Sequence, residues 1–246
     1  MAQTDTLTIP AVGRDRSAWT QWVWQGSTIV ALILLVIVFT AAGRGVFLTP
    51  GNMTNILNQV AILTIIAVAQ TVVMVVGDFD LSVGTTATLS GAATGALLVG
   101  GTPIPLAVVA GLGVGLLVGA VNGVLVAYLN LSAFVATLAT MTTVGGLALI
   151  VTTGTDICGW PGRFNILGQM RVNSIPAPVI YAAVLSVIVW LVLRFTTIGR
   201  RWYAIGGNAE VARLSGVSVR STRFLAFAVA GVLSGLGGIV LVSRLG

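Results

Sequence analysis

The chain has 246 residues, of which 57% are hydrophobic and only 7% are charged, with a formal net charge of +6. A soluble domain carries about 25% charged residues, so this composition excludes a water-soluble globule and predicts an integral membrane protein. There is no His, and all 12 basic residues are Arg, which excludes histidine-based catalysis and lysine-dependent phosphate-binding loops. With one cysteine, Cys158, and six acids, we expect no enzymatic activity, no catalytic residue, no metal site and no cofactor.

Seven apolar runs are long enough to cross a bilayer, which takes about 20 helical residues. We predict spans at 23–42, 56–76, 81–99, 104–129, 133–151, 178–195 and 224–242. The predicted fold class is therefore an all-α, polytopic helical bundle. The polar segment 1–22 lacks the early apolar region of a cleavable signal, so we interpret it as a cytoplasmic tail.

The Arg residues divide unevenly between the two sides that alternating spans create. Eight lie on the side of the N-terminal tail: Arg14, Arg16, Arg194, Arg200, Arg201, Arg213, Arg220 and Arg223. Four lie on the other side: Arg44, Arg163, Arg171 and Arg244. Because an excess of Arg marks the cytoplasmic side, the N-terminus and loop 196–223 are predicted to be cytoplasmic. The positive charge then reflects membrane orientation and contact with lipid, not nucleic-acid binding.

Small residues recur every four positions on the predicted spans. These glycines are Gly91 and Gly95, then Gly111, Gly115, Gly119 and Gly123, then Gly231 and Gly235. On a helix this spacing makes a stripe without side chains, which allows the backbone of a neighbouring helix to approach closely. We predict helix packing for these stripes, and a pore-lining stripe is the alternative.

The segment 77–84, Gly-Asp-Phe-Asp-Leu-Ser-Val-Gly, places two carboxylates between two apolar runs. Acids in such positions are costly and are often functional. One interpretation is that Asp80 or Ser82 accepts hydrogen bonds from the free N–H groups that open the third span. The other is that the motif formed by Asp78, Asp80, Ser82 and Gly84 acts in translocation. Neither acid has a basic residue nearby in sequence.

The basic inner loop contains a second motif, in which each position suits a short helix. Asn208 is a good N-cap, Glu210 lies in the first turn and Arg213 near the last. Gly216 can supply a left-handed C-terminal cap. We predict a helix of about two turns, preceded by flexible glycines at 206–207. So short a helix needs a partner surface, which is either a cytoplasmic protein or lipid headgroups.

Uncharged polar side chains also recur within the spans. They are Asn58, Gln59, Thr64, Gln70, Thr71, Asn122, Thr137, Thr140, Thr142 and Thr143. We interpret them as donors and acceptors between helices. The alternative is an uncharged lining for a neutral, hydroxyl-rich solute.

Three motifs together resemble one known family, the ribose/xylose-type sugar permeases of bacterial ABC importers. Residues 77–84 resemble the family signature Gly-x-[Ile/Phe]-Asp-Leu-Ser-Val-Gly. Residues 133–138, Ala-Phe-Val-Ala-Thr-Leu, are similar to the segment that opens the family's fifth helix. Residues 204–208 and 212–217 are similar to its cytoplasmic coupling segment. The motifs occur in the family's order, and the resemblance covers residues 52–245.

The resemblance implies a permease subunit that imports a pentose, hexose or polyol across the bacterial inner membrane. It implies three kinds of partner: a dimer of ATPase subunits, a second identical or different permease subunit, and a periplasmic or lipid-anchored sugar-binding protein facing loop 152–177. Eight residues would then couple the permease to the ATPase: Asn208, Ala209, Glu210, Ala212, Arg213, Leu214, Ser215 and Gly216.

The sequence departs from the family pattern in two respects. The family has about ten helices, so the transmembrane domain at 23–246 is expected to be incomplete at its C-terminus. Asp78 stands where the family more often has Gly. Two alternative functions stay open: a secondary transporter or channel for a small neutral solute, and a truncated remnant that does not transport.

Overall fold

The computed structural model describes the backbone of residues 18–246 and the side chains from Ser27 onward. This part of the chain forms ten helices and one hairpin. They are α1 Ala18–Ala42, α2 Pro50–Val75, α3 Val83–Val99, α4 Ile104–Ala127, α5 Ala133–Thr152, α6 Ile166–Gln169, β1 Arg171–Val172, β2 Ile175–Pro176, α7 Ala177–Phe195, α8 Thr197–Gly207, α9 Ala209–Leu214 and α10 Val219–Leu245. The all-α, polytopic fold class is confirmed.

Each predicted span coincides with one helix. By length and composition, α2, α4, α5, α7 and α10 are long and apolar enough to cross a membrane, whereas α3 and residues 27–42 of α1 are apolar but shorter. α1 begins at Ala18, inside the predicted tail at 1–22, and most of that tail, with Arg14 and Arg16, lies outside the described residues. α10 begins at Val219, so the last residues of the predicted loop 196–223 belong to this helix.

The chain divides into two compact units. The first unit ends at Met53 and includes α1. In the segment that follows α1, the side-chain amide of Asn52 donates to the Phe47 carbonyl at 2.7 Å. In this unit the rings of Phe39 and Phe47 stack, with centroids 5.7 Å apart. The second unit, Thr54–Gly246, contains α2 from Thr54 onward, the helices that follow it and all the predicted site residues.

α10 is the central helix of the second unit, and it packs against α3 and α4. Its contact with α4 is made by backbone. A methyl group on Gly115 would overlap the carbonyl oxygen of Gly231, and one on Gly119 would overlap that of Phe227. We call this contact the glycine seam; it consists of Gly115, Gly119, Gly231 and Phe227, and Gly235 continues it beside Ser90 and Gly115.

The outer members of the same stripe meet side chains. A methyl group on Gly111 would overlap the Thr94 hydroxyl of α3, and one on Gly123 would lie 2.8 Å from the Phe224 ring of α10. Gly91 of α3 faces Gly238 of α10. These glycines therefore lie in contacts between helices, and their role in packing stays a prediction.

The loops of the second unit gather at two opposite ends. One end, here called the inner end, contains the α2–α3 turn at 76–82, the α4–α5 loop at 128–132, and α8 and α9. The other contains segment 153–176, where the Ser243 hydroxyl of α10 donates to the Phe164 carbonyl at 2.6 Å. Within the second unit, the inner end holds Arg194, Arg200, Arg201, Arg213, Arg220 and Arg223, and the opposite end holds Arg163, Arg171 and Arg244. Which end faces the cytoplasm stays a prediction.

Candidate functional site at the inner end

Four buried polar side chains meet beneath the α2–α3 turn, and we call them the polar cluster: Asp80, Ser82, Asn122 and Thr137. Asp80 is only 3% exposed, and its Oδ1 accepts from the Ser82 amide at 2.8 Å and the Ser82 hydroxyl at 2.7 Å. Asn122 Nδ2 of α4 donates to Ser82 Oγ at 2.8 Å. Thr137 Oγ1 of α5 accepts from the Leu81 amide at 3.1 Å. The cluster therefore joins the turn to two helices.

Among the described residues, Ser82 does not cap α3 with its side chain, and Asp80 bonds to the residue just before the helix. Ser82 occupies the N-cap position, but within the described part of the chain its side chain makes no capping bond. Asp80 accepts the amide of this N-cap residue, which closes the turn just before the helix. Gly84 lies in the first turn of α3 with open space where a side chain would stand.

Asp78 is paired with Arg223, which lies 145 positions later in the chain. Arg223 Nε donates to Asp78 Oδ2 at 2.9 Å, and Nη2 donates to Oδ1 at 2.5 Å. The Asp78 side chain is 6% exposed and that of Arg223 is 28% exposed. Two parallel bonds fix the guanidinium and carboxylate in one plane, which makes this a strong type of ion pair. Sequence reasoning found no nearby basic partner; the shared inner side of the two residues was the only available signal.

The ion pair lies in the wall of an open cavity of about 650 Å³ at the inner end. The cavity lies between the α2–α3 turn and the α4–α5 loop, and its lining combines polar and aromatic side chains. These are Asp78, Phe79, Asn130, Ser132, Phe134 and Arg223. The pair is therefore accessible from the inner end and not sealed within the bundle.

Sequence reasoning missed α8 (Thr197–Gly207). Its N-cap is Thr196, whose hydroxyl accepts from the Gly199 amide at 3.2 Å. The helix is amphipathic, and its buried Trp202 donates from Nε1 to the Thr222 carbonyl at 3.0 Å. This bond fastens α8 to the first turns of α10. The threonine cap and the apolar spacing of 202 and 205 were the signals that could have revealed the helix.

The prediction that glycines 206 and 207 form a flexible segment is wrong. Both lie in the last turn of α8. A methyl group on Gly206 would overlap the carbonyl oxygen of Val75. In the same way, a methyl group on Gly77 would lie only 3.4 Å from the Cα atom of Gly206. Gly77 has φ +90°, a left-handed conformation that favours glycine. Because Gly206 has no side chain, α8 can approach the α2–α3 turn closely; the glycine is needed for this contact and not for flexibility.

The predicted short helix is present as α9 (Ala209–Leu214). Asn208 Oδ1 accepts from the amides of Glu210 and Val211, each at 3.0 Å. Arg213 Nε donates to Glu210 Oε2 at 3.0 Å, and this hydrogen bonding lowers the pKa of the Glu210 carboxyl. Gly216 follows with φ +83°, the conformation of a C-terminal cap. All these bonds are local, so α9 is held in shape by its own residues.

Most of α9 is exposed. Of the eight predicted coupling residues, seven are exposed: Asn208, Ala209, Glu210, Arg213, Leu214, Ser215 and Gly216. Ala212 is buried and seats the helix on the bundle. Leu214 is 75% exposed and Val211 is 57% exposed, beside the charged Glu210 and Arg213. The structure therefore presents a small surface with both apolar and charged side chains at the inner end.

The uncharged polar residues of the spans do not form one lining. Five threonines donate to carbonyls of their own helix, so the prediction of bonds between helices is wrong for them: Thr64, Thr71, Thr140, Thr142 and Thr143. Asn122 and Thr137 do bond to another element, through the polar cluster. Both polar atoms of Gln70 are buried without a partner among the residues that the structure describes.

Comparison with known proteins places these features in a family. Residues 52–246 match the family described as branched-chain amino acid transport system / permease component. The chain is 39% identical over 218 residues to the ribose import permease protein RbsC of Bacillus subtilis, covering 88% of this chain and 67% of that protein. It is 32% identical over 249 residues to RbsC of Escherichia coli K12, covering 97% and 75%.

A third relative is the D-allose transport system permease protein AlsC of Escherichia coli K12, which is 33% identical over 220 residues, covering 89% of this chain and 68% of that protein. No solved structure matches the chain. The chain thus spans about two thirds to three quarters of the length of these relatives.

Proposed function

The chain belongs to the branched-chain amino acid transport system / permease component family, and we propose that it is the membrane subunit of an ATP-driven monosaccharide importer. It is a multi-pass membrane permease component and not an enzyme. The similar permeases are named for ribose and D-allose, so a pentose, a hexose or a polyol is the solute class we assign. The bacterial inner membrane, with the inner end in the cytoplasm, is the location we assign.

The observation that carries the proposal is α9, a capped helix that projects from the inner end. Exposure of the apolar Val211 and Leu214 side chains to water is unfavourable, which favours their burial against a partner. The neighbouring Glu210 and Arg213 add charges, which can make the docking specific. Since α9 keeps its shape through local bonds, a partner can bind it without first ordering it. We assign this surface to the ATPase.

In this proposal, closure of an ATPase dimer moves α9 and α8, and the bundle changes between inward-open and outward-open states. The open and closed ATPase dimers differ in their affinity for the two states of the permease, and this difference shifts the permease from one state to the other. A second permease subunit, identical or different, completes the pathway. The folded segment 153–176 at the opposite end faces a sugar-binding protein.

Charge reversal on α9 tests the docking. We expect Glu210→Arg, and separately Arg213→Glu, to abolish co-purification of the ATPase and ATP-driven uptake of ribose or D-allose, while the amount of permease in the membrane is unchanged. The reason is that an exposed ion pair contributes little to folding, whereas a reversed charge at an interface repels its partner. The matched control for ATPase co-purification is Asp156→Arg, which reverses the charge of an exposed acid at the opposite end.

Wild-type ATPase binding by both variants would overturn the docking assignment. Uptake of the sugar by the purified permease alone, with no ATPase subunit present, would instead support a secondary transporter or a channel. Absence of uptake with all partners present would support the remnant that does not transport.

A further inference from the structure

Three contacts at the inner end join three elements into a closed ring. Gly206 of α8 packs on Val75, the last residue of α2, and on Val76 and Gly77 of the α2–α3 turn. Trp202 of α8 donates to the Thr222 carbonyl of α10. Arg223, the next residue of α10, donates two hydrogen bonds to the Asp78 carboxylate of the turn. Each pair of elements is therefore connected directly, so displacement of one strains its contacts with both others.

The ring has two kinds of contact. The contact of Gly206 with the turn is backbone against backbone, so it resists compression but not separation. The ion pair resists separation and sliding as well, because its two bonds are directional and Asp78 is nearly buried. Pulling Arg223 away would break both bonds and leave the Asp78 carboxylate without its cationic partner. The ion pair is therefore a connection to the turn that can transmit a pull as well as a push.

The turn leads directly to the polar cluster. Asp80 lies two residues after Asp78, and through Ser82 it is bonded to Asn122 of α4. The turn also bonds to Thr137 of α5 through the Leu81 amide. A movement of the turn therefore reaches α3, α4 and α5 by hydrogen bonds between buried groups.

We propose that Asp78 and Arg223 are a positioning pair that transmits movement of α8 and α9 to the polar cluster, and so couples ATP hydrolysis to solute movement. The proposal rests on the proposed function, since it takes the ATPase to act on α9. Neither residue is assigned a contact with the solute. The pair acts through the turn, which it holds to the first turns of α10.

The test is the number of sugar molecules taken up per ATP hydrolysed, in vesicles that contain the permease, its ATPase and its binding protein, with ribose or D-allose as the probe. Asp78→Asn keeps the shape of the side chain and removes its charge. We expect ATPase binding and hydrolysis to persist and the uptake per ATP to fall roughly five- to tenfold, the lower range of coupling between distant sites. The double variant Asp78→Arg with Arg223→Asp restores the opposite charges, and we expect it to recover most of the ratio.

Arg44→Gln is the matched control, because it removes an exposed charge outside the ring, the polar cluster and the two proposed partner surfaces, and it should leave the ratio unchanged. An unchanged ratio in Asp78→Asn overturns the proposal, even if thermal stability in detergent falls, because the pair is then only structural. If Asp78→Asn does not fold, Arg223→Gln takes its place with the same expected fall. If the wild-type chain shows no ATP-driven uptake, the proposed function is overturned, and the coupling role of the ion pair with it. If the wild type takes up sugar and Asp78→Asn keeps the wild-type ratio, only the coupling role is overturned.

Discussion

The glycine seam and α9 are built by opposite means. The seam joins residues more than 100 positions apart, and it works because Gly115 and Gly231 have no side chains. α9 draws its bonds from residues 208–216, and most of its side chains face away from the bundle. The fold therefore depends on the seam, whereas the proposed function depends on α9. Substitutions in the two regions should separate loss of folding from loss of activity.

Membrane physics explains the difference. Within lipid there is little hydrophobic force between helices, so their association relies on close packing and hydrogen bonds. A helix pair can approach most closely where neither carries side chains, as along α4 and α10. α9 lies at an end of the bundle, where capping and ion pairing decide whether a short helix forms.

The largest effect is expected in the seam. Gly115→Leu would drive a side chain into the Gly231 backbone, and over-packing of this kind costs about 1–3 kcal/mol or more. We expect loss of monodisperse protein in detergent and a lower unfolding temperature. Gly113→Leu is the matched control, because Gly113 lies on the same helix with open space beside it. Equal stability of the two variants would show that the seam is not a close contact.

The polar cluster should give an intermediate effect. Asp80→Ala removes the acceptor for the Ser82 amide and hydroxyl, and leaving buried donors without partners costs about 1–3 kcal/mol. We expect lower thermal stability in detergent and reduced uptake. Asp80→Asn keeps one acceptor oxygen and should retain more of both, while Asp156→Ala at an exposed acid should leave the thermal stability unchanged. Wild-type stability of Asp80→Ala would contradict the assignment of this carboxylate as the centre of the cluster.

The features that the sequence predicted are those with short-range causes. Hydropathy located seven apolar helices because each apolar run is continuous, and α9 was predicted because its caps lie within nine residues. The glycine spacing predicted packing but not which helices meet, since a stripe carries no information about its partner.

The missed features depend on contacts distant in sequence. Asp78 had no partner within its own segment, because Arg223 belongs to a helix that begins 141 positions later at Val219. Asn122 and Thr137 were each noticed as polar residues of a span, but only the folded chain brings them to Asp80 and Leu81. α8 was missed because Gly206 and Gly207 were interpreted as flexible, whereas contact with Val75 is what makes Gly206 necessary.

The smallest effect on stability, and the sharpest test of α9, is expected from its cap. Asn208→Ala removes the oxygen that accepts from the amides of Glu210 and Val211, and loss of an N-cap costs about 1 kcal/mol. Because α9 has only six residues and a single buried side chain, this loss should fray α9 while the bundle stays intact. We expect faster hydrogen exchange at residues 210–214 and weaker ATPase binding, with the unfolding temperature in detergent unchanged. Asn208→Asp keeps the acceptor and should behave as wild type. Equal exchange in Asn208→Ala and Asn208→Asp would mean that α9 is held by its seat on the bundle at Ala212 and not by its cap.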